Sequence, residues 1–282
     1  MSQLSFESLF LADQADPQPR ISAPVRVQSP AEARKQFASV FRQTAKYMRR
    51  SEMFRDFITL AASGLDIASI RSPESIENSR RICGRYQPED LDAMRQLFCL
   101  LVEGLAGEMH DFLGALYMEH ELGADEMGQY FSPSCISHLM AGLLMPGAQE
   151  TIKREGWMTL DEPACGSAGM VIAFAYWMTD AGYNPSEQLY ATCTDIDPMV
   201  ADMAFIQLSL LGIPAKVVTG NLSPGAYHRG NRKNPLSPAG KRGGRKRLRR
   251  SCRSPLQCFC PLLRSQPASC WLTFSAAAAP WL

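Results

Sequence analysis

Two consecutive segments of this chain follow the same order of elements. WMTLDEPACGSAGMVIAFAYWMTDAG opens with a short β-favouring run, turns at Pro163–Gly169 and continues as an apolar helical stretch. QLYATCTDIDPMVADMAFIQLSLLG repeats that order, with its turn at Asp195–Pro198. A third β-favouring run, AKVVTGN, follows. Strands alternating with helices of about 14 residues require a parallel sheet joined by crossovers, and so predict an α/β fold. In such sheets the turns at the carboxyl ends of the strands lie side by side, which is where a ligand is held.

The preceding sequence has a different period. AEARKQFASVFRQTAKYMRRSEMFRDFITLAASGL spaces Phe37, Val40, Phe41, Met48, Phe54, Phe57 and Ile58 at three and four. After a turn-like region around Ser72–Pro73 and Pro88, Leu91, Met94, Leu97, Phe98, Leu101, Leu105, Met109 and Phe112 form a second long apolar face. Both read as helices with a buried stripe. SPSCISHLMAGLLMPG reads as a short helix with Ser132 as N-cap and Pro133 at its first position. The predicted organisation is a flexible arm over 1–30, a helical domain over 31–127, an α/β domain over 128–221 and an unstructured basic tail over 222–282.

Charge marks the last boundary. Residues 222–282 contain 12 Lys and Arg and no Asp or Glu, leaving 17 basic against 28 acidic residues in 1–221. With 46% hydrophobic and 20% charged residues, wholesale disorder, a collagen-like repeat and an integral membrane protein are excluded. No apolar run approaches the roughly 18 to 20 residues of a membrane helix. The nine cysteines have no CxxC pair and no disulfide-like rhythm, and the N-terminus lacks a signal-peptide pattern. These features predict reduced thiols in a cytoplasmic protein. His110, His120, His138 and His228 lie at no zinc-like spacing from one another or from the cysteines, so no metal is expected.

The residues with chemical promise sit at the strand ends. Asp161-Glu162-Pro163-Ala164-Cys165-Gly166-Ser167-Ala168-Gly169 joins a strand to a helix through small residues, so a ligand can approach the backbone and the helix N-terminus. Glu162 or Asp161 could hold a cationic group there. Asp195, ending the second strand, could accept both hydroxyls of a ribose, or be a solvated turn residue beside the helix cap Asp197. Asn221 offers an amide at the same edge, for a purine or to close a turn. Cys165 sits at a helix N-terminus without a partner His, and reads as a small residue of the loop.

Gly128-Gln129-Tyr130-Phe131-Ser132-Pro133, then Glu162 to Gly169, then Asp195-Ile196-Asp197-Pro198 resemble, in that order, the N-6 adenine-specific DNA methyltransferases. The likeness is nearest to the modification-subunit-like methylases of type I restriction systems and their plasmid or phage relatives. It implies a helical domain followed by a partial Rossmann-like class I methyltransferase sheet, S-adenosylmethionine as cofactor and DNA as substrate. A separate specificity subunit is the usual partner of such enzymes. It further implies that Gln129, Tyr130, Phe131, Ser132 and Pro133 wrap the methionine end of the cofactor. Glu162, Pro163, Ala164, Gly166, Ser167 and Gly169 would form the loop beneath it. Asp195, followed by Ile196, would hold the ribose, and Asn221 would lie by the adenine.

Three departures from that pattern matter. Ser132 replaces a usual Thr and keeps the hydroxyl. Ala168 replaces a usual Gly, which costs about 1 kcal/mol or more if the position needs positive φ. The family's [DN]PP[YF] motif, which holds the target amine and stacks on a flipped base, has one candidate, Asn234-Pro235-Leu236-Ser237. It lacks the second Pro and the aromatic, and HRGNRK before it cannot be a buried strand. No catalytic residue is therefore assigned, and an inactive chain is expected. The tail itself reads best as out-of-frame translation, ahead of a solvated charge run or a polyanion patch. Methylation of RNA or of a protein glutamine, and a non-catalytic binding remnant, are the rival functions. A sheet that stops at three strands leaves its first strand as an open edge.

Overall fold

The computed structural model describes residues 29–66, 73–120, 122, 131–220 and 228–233. The arm over 1–28, Gln129, Tyr130 and Asn221 lie outside the described residues, as do 234–282.

Five helices come first: α1 Pro30–Gln43, α2 Arg50–Leu65, α3 Pro73–Cys83, α4 Pro88–Gly107 and α5 Phe112–Glu119. Ser29 caps α1 by accepting from the Glu32 N–H at 3.3 Å, ahead of Pro30 at the tolerant first turn. The helical stretch over 31–65 is two helices, not one. The chain turns at Ala45, which has φ 44°. Arg50 stabilises the turn by donating to the carbonyls of Phe41 at 2.8 Å, Thr44 at 2.7 Å, Met48 at 3.1 Å and Ala45. These are groups a helix end would otherwise leave unpaired. The turn-like region after Ser72 is also corrected, because it contains α3. Pro73 starts that helix instead of breaking it, since a first-turn residue needs no N–H.

The α/β part follows as α6 Ser134–Glu155, β1 Met158–Glu162, α7 Gly169–Asp180, α8 Pro185–Gln188, β2 Leu189–Asp195, α9 Pro198–Leu210 and β3 Ala215–Gly220. Strands β1, β2 and β3 are parallel neighbours, with Glu162 opposite Cys193 and Asp195 opposite Thr219. The fold is thus α/β, with a helical N-terminal part and a partial doubly wound sheet.

Two details differ from expectation. Pro133 is the N-cap of α6, and the helix runs 22 residues, straight through Pro146. Burial of Ala141 and Met145 before that proline, and of Ala148 and Ile152 after it, pins both halves against α7 and overrides the local break. The sheet also gains a fourth strand, β4 His228–Lys233, antiparallel to β3. This corrects the reading of 222–282 as wholly unstructured. An edge strand needs main-chain partners on one side only, not the alternating apolar residues of a buried strand, and basic residues suit such an edge.

Helix α9 connects the two parts. Eleven of its thirteen residues are buried, because it packs against β2 and β3 on one side and α2 and α5 on the other. One hydrophobic core therefore runs from Phe37 and Phe54 through Leu113 and Phe205 to Val217. On the far side of the molecule, Ile136, Leu139, Met140, Leu143 and Leu144 form an exposed stripe along α6, with Leu143 71% exposed. Among the described residues β1 pairs with β2 alone, so the expected open edge is present. No described helix is long and apolar enough to cross a membrane.

Candidate functional site

Parallel pairing brings Glu162 and Asp195 to adjacent strand ends, and the loop after β1 folds across both. The Cys165 N–H donates to the Thr194 carbonyl at 2.9 Å, which lays the loop over the end of β2. The Gly166 N–H donates to Asp195 Oδ2 at 2.9 Å, and the Asp197 N–H to Asp195 Oδ1 at 3.0 Å. Asp195 thus orders two turns at once, while each of its oxygens keeps a second lone pair for a hydroxyl. Asp197 caps α9 through the Met199 N–H at 2.8 Å, as its place before Pro198 predicts. Ile196, between the two acids, is 69% exposed and presents an apolar surface beside the Asp195 carboxylate.

Gly166 has φ 54° and Ala168 has φ 72°. The expected positive-φ strain at Ala168 is therefore real, and its methyl is fully buried. Phe131 lies over the loop: a Cβ at Gly166 would stand 3.0 Å from its ring. The Tyr117 ring packs on Phe131 in turn, with centroids 5.1 Å apart. Ser132, Pro133, Pro163 and Ala164 are exposed around this cover, and Gly169 opens α7.

Glu162 is half-buried, and burial raises its carboxyl above the ordinary value, opposed by the donated Ala164 N–H. A carboxylate so placed gains from a cationic partner. Contact with the Cys193 thiol, and then burial, pushes the Cys165 thiol up, which favours its protonated form. Among the described residues no group of three His, Cys, Asp or Glu is placed to hold a metal ion.

Two residues that the sequence reading passed over complete the site from below. Asp111 caps α5 by accepting from the Gly114 N–H at 2.8 Å, and also accepts from Ser167 Oγ at 2.6 Å. Gln207, fully buried in α9, donates to Asp111 Oδ1 at 2.8 Å and to the Ser167 carbonyl at 2.7 Å. The Ser167 side chain consequently faces the protein. A lone Gln inside the apolar run MAFIQLSLL was the available signal, because a buried amide demands partners.

This arrangement fits S-adenosylmethionine. Asp195 retains acceptor capacity for a ribose diol, Glu162 is a carboxylate for a cationic group, and Ile196 is an apolar surface for a planar base. A small-residue loop lies between them. Residues 104–224, less than half of the chain, match the family model described as N-6 DNA methylase. A structure from Listeria monocytogenes, assigned to the class I S-adenosylmethionine-dependent methyltransferases, shares 17% identity with a TM-score of 0.35. The match covers 65% of this chain and 52% of that one, so the chain spans about half the length of that structure. No curated protein matches the chain significantly.

Proposed function

We propose that this chain binds S-adenosylmethionine at the carboxyl ends of β1 and β2, and that it belongs to a system methylating the exocyclic amine of adenine in DNA. The carrying observation is the Asp195 carboxylate, fixed by the Gly166 and Asp197 N–H groups beside the half-buried Glu162. When bound, the cofactor supplies a methyl group activated by its sulfonium. Asp195 accepts from the ribose hydroxyls, Ile196 packs on the adenine, Glu162 holds a cationic end, and Phe131 with Ser132 and Pro133 shields the loop. Gln129, Tyr130 and Asn221 complete this reading as residues near the methionine and adenine ends. The setting is cytoplasmic, in keeping with five free cysteines among the described residues. DNA is the macromolecular partner, with sequence choice supplied by a separate specificity subunit.

Methyl transfer additionally needs an acceptor for the target amine and an aromatic to stack the flipped base. Among the described residues no [DN]PP[YF] motif is present, and Asn234-Pro235-Leu236-Ser237 lacks two of its four residues. The chain is therefore proposed to bind cofactor without completing transfer, which also favours the second reading, a non-catalytic remnant.

Calorimetry with S-adenosylhomocysteine and transfer of labelled methyl to unmethylated DNA test both statements. The expected result is saturable binding, lost in Asp195→Ala, and no labelled DNA. Label above background overturns the inactivity, and absence of binding overturns the cofactor reading.

A further inference from the structure

Asp111 belongs to the helical part of the chain and to neither strand end, yet its carboxylate reaches the loop that the proposed function assigns to the cofactor. We infer that Asp111 is the positioning residue of that loop, holding the main chain of Cys165–Gly169 in the form a ligand meets. The inference rests on the proposed cofactor site for its purpose, but on the hydrogen bonds alone for its geometry.

Three donors converge on this one carboxylate. Oδ1 accepts the Gly114 N–H and Gln207 Nε2, each at 2.8 Å, and Oδ2 accepts the Ser167 hydroxyl at 2.6 Å. Gln207 closes the ring by donating to the Ser167 carbonyl and accepting the Leu113 N–H at 3.0 Å. Both the hydroxyl and the carbonyl of Ser167 are thereby bound from below, while the Gly166 N–H is bound by Asp195 from the sheet. The peptides on either side of the 166–167 link are thus held from two directions. Ala168, next in the chain, sits at φ 72°, a conformation that an alanine keeps only when its surroundings impose it.

The packing leaves no alternative at this point. A Cβ at Gly114 would stand 2.1 Å from Asp111 Oδ2 and 2.4 Å from Ser167 Oγ, and one at Gly169 would stand 3.1 Å from Asp111 Oδ2. Gly114 leaves the space that the carboxylate and the Ser167 hydroxyl occupy, and Gly169 lets the carboxylate approach α7 closely. The same helix, α5, also carries Tyr117, whose ring supports Phe131 over Gly166. One eight-residue helix therefore braces the candidate site from beneath and behind.

The test compares Asp111→Ala, Asp111→Asn and Ser167→Ala in the full chain, by hydrogen exchange of the 164–170 amides and by affinity for S-adenosylhomocysteine. Asp56→Ala is the control, since Asp56 is a buried carboxylate remote from the loop that accepts from Tyr86 Oη at 2.6 Å. Asp111→Ala strands three donors, so loop protection and affinity should each fall about tenfold or more. Asn keeps the Oδ1 bonds and can offer its amide to Ser167 Oγ, so Asp111→Asn should recover to within about threefold. Ser167→Ala cuts the bond from the other side without touching the α5 cap, and should loosen the loop even if Asp111→Ala does not fold. Asp56→Ala should lower stability without selective loss at 164–170. Equal loop exchange in Asp111→Ala and Asp56→Ala, an Asn variant no better than Ala, or unchanged exchange in Ser167→Ala each overturns the positioning role. Selective loosening in the Asp111 and Ser167 variants, together with a wild-type chain that binds no S-adenosylhomocysteine, keeps the positioning and overturns only the cofactor reading.

Discussion

Glu162 ends β1 with its carboxylate half-buried, and burial raises its pKa from the ordinary 4.5. An acid whose folded pKa exceeds its unfolded one gives stability that is complete below the unfolded value and lost as pH rises through the folded value. At neutral pH the ionised Glu162 is therefore a net cost to folding. Glu162→Gln keeps an acceptor for the Ala164 N–H and removes the charge, so its Tm should exceed wild type at neutral pH. That advantage should vanish below about pH 4.5. Thermal denaturation of both proteins at two pH values checks this, and a pH-independent difference contradicts it. The places of Glu162 and Asp195 at the strand ends were legible because each acid closes a β-favouring run. Asp111 was not legible: its partners lie 56 and 96 residues away, and no local pattern announces a contact at that range. Ala168 lay between these cases, since the sequence showed a methyl group in a tight turn but not the sign of φ.

At the scale of elements, the helices were visible from their period and their breaks were not. The turn between α1 and α2 depends on Arg50, which donates to four carbonyls and stacks over the Phe41 ring at 5.6 Å. In sequence it is one of two consecutive arginines with no mark of that role. Arg50→Ala should cost about 2 to 3 kcal/mol, because it unpairs partly buried carbonyls held by a charged donor. Lysine, with no planar fork, should restore only part of that loss, as urea denaturation of the three proteins would show. Proline misled in both directions. Pro73 begins a helix where a turn was read, and Pro146 lies inside one where an end was read. At Pro73 the first turn needs no N–H, whereas at Pro146 burial of the flanking residues decided the outcome, and burial depends on packing that the local sequence does not contain.

At the scale of the whole molecule, the open edge of β1 and the exposed stripe of α6 dominate behaviour in solution. The stripe places five large apolar side chains on one exposed face, the kind of patch that marks an interaction or aggregation surface. The weight-average mass from light scattering should rise with protein concentration, and Leu139→Lys with Leu143→Lys should flatten that rise, since both side chains are already largely exposed. A monodisperse wild-type chain with one cooperative unfolding transition would contradict this expectation. The bond between Asp111 and Gln207 has a consequence in time. During synthesis Asp111 leaves the ribosome first, and its partner follows 96 residues later, roughly 5 to 20 s at ordinary elongation rates. For the last part of that interval, roughly 2 to 8 s between the loop and Gln207, the loop exists without the Gln207 half of its lower clamp. A nascent chain halted before α9 would carry every strand-end acid of the site and still lack the amide that ties the loop carbonyl to the helical part.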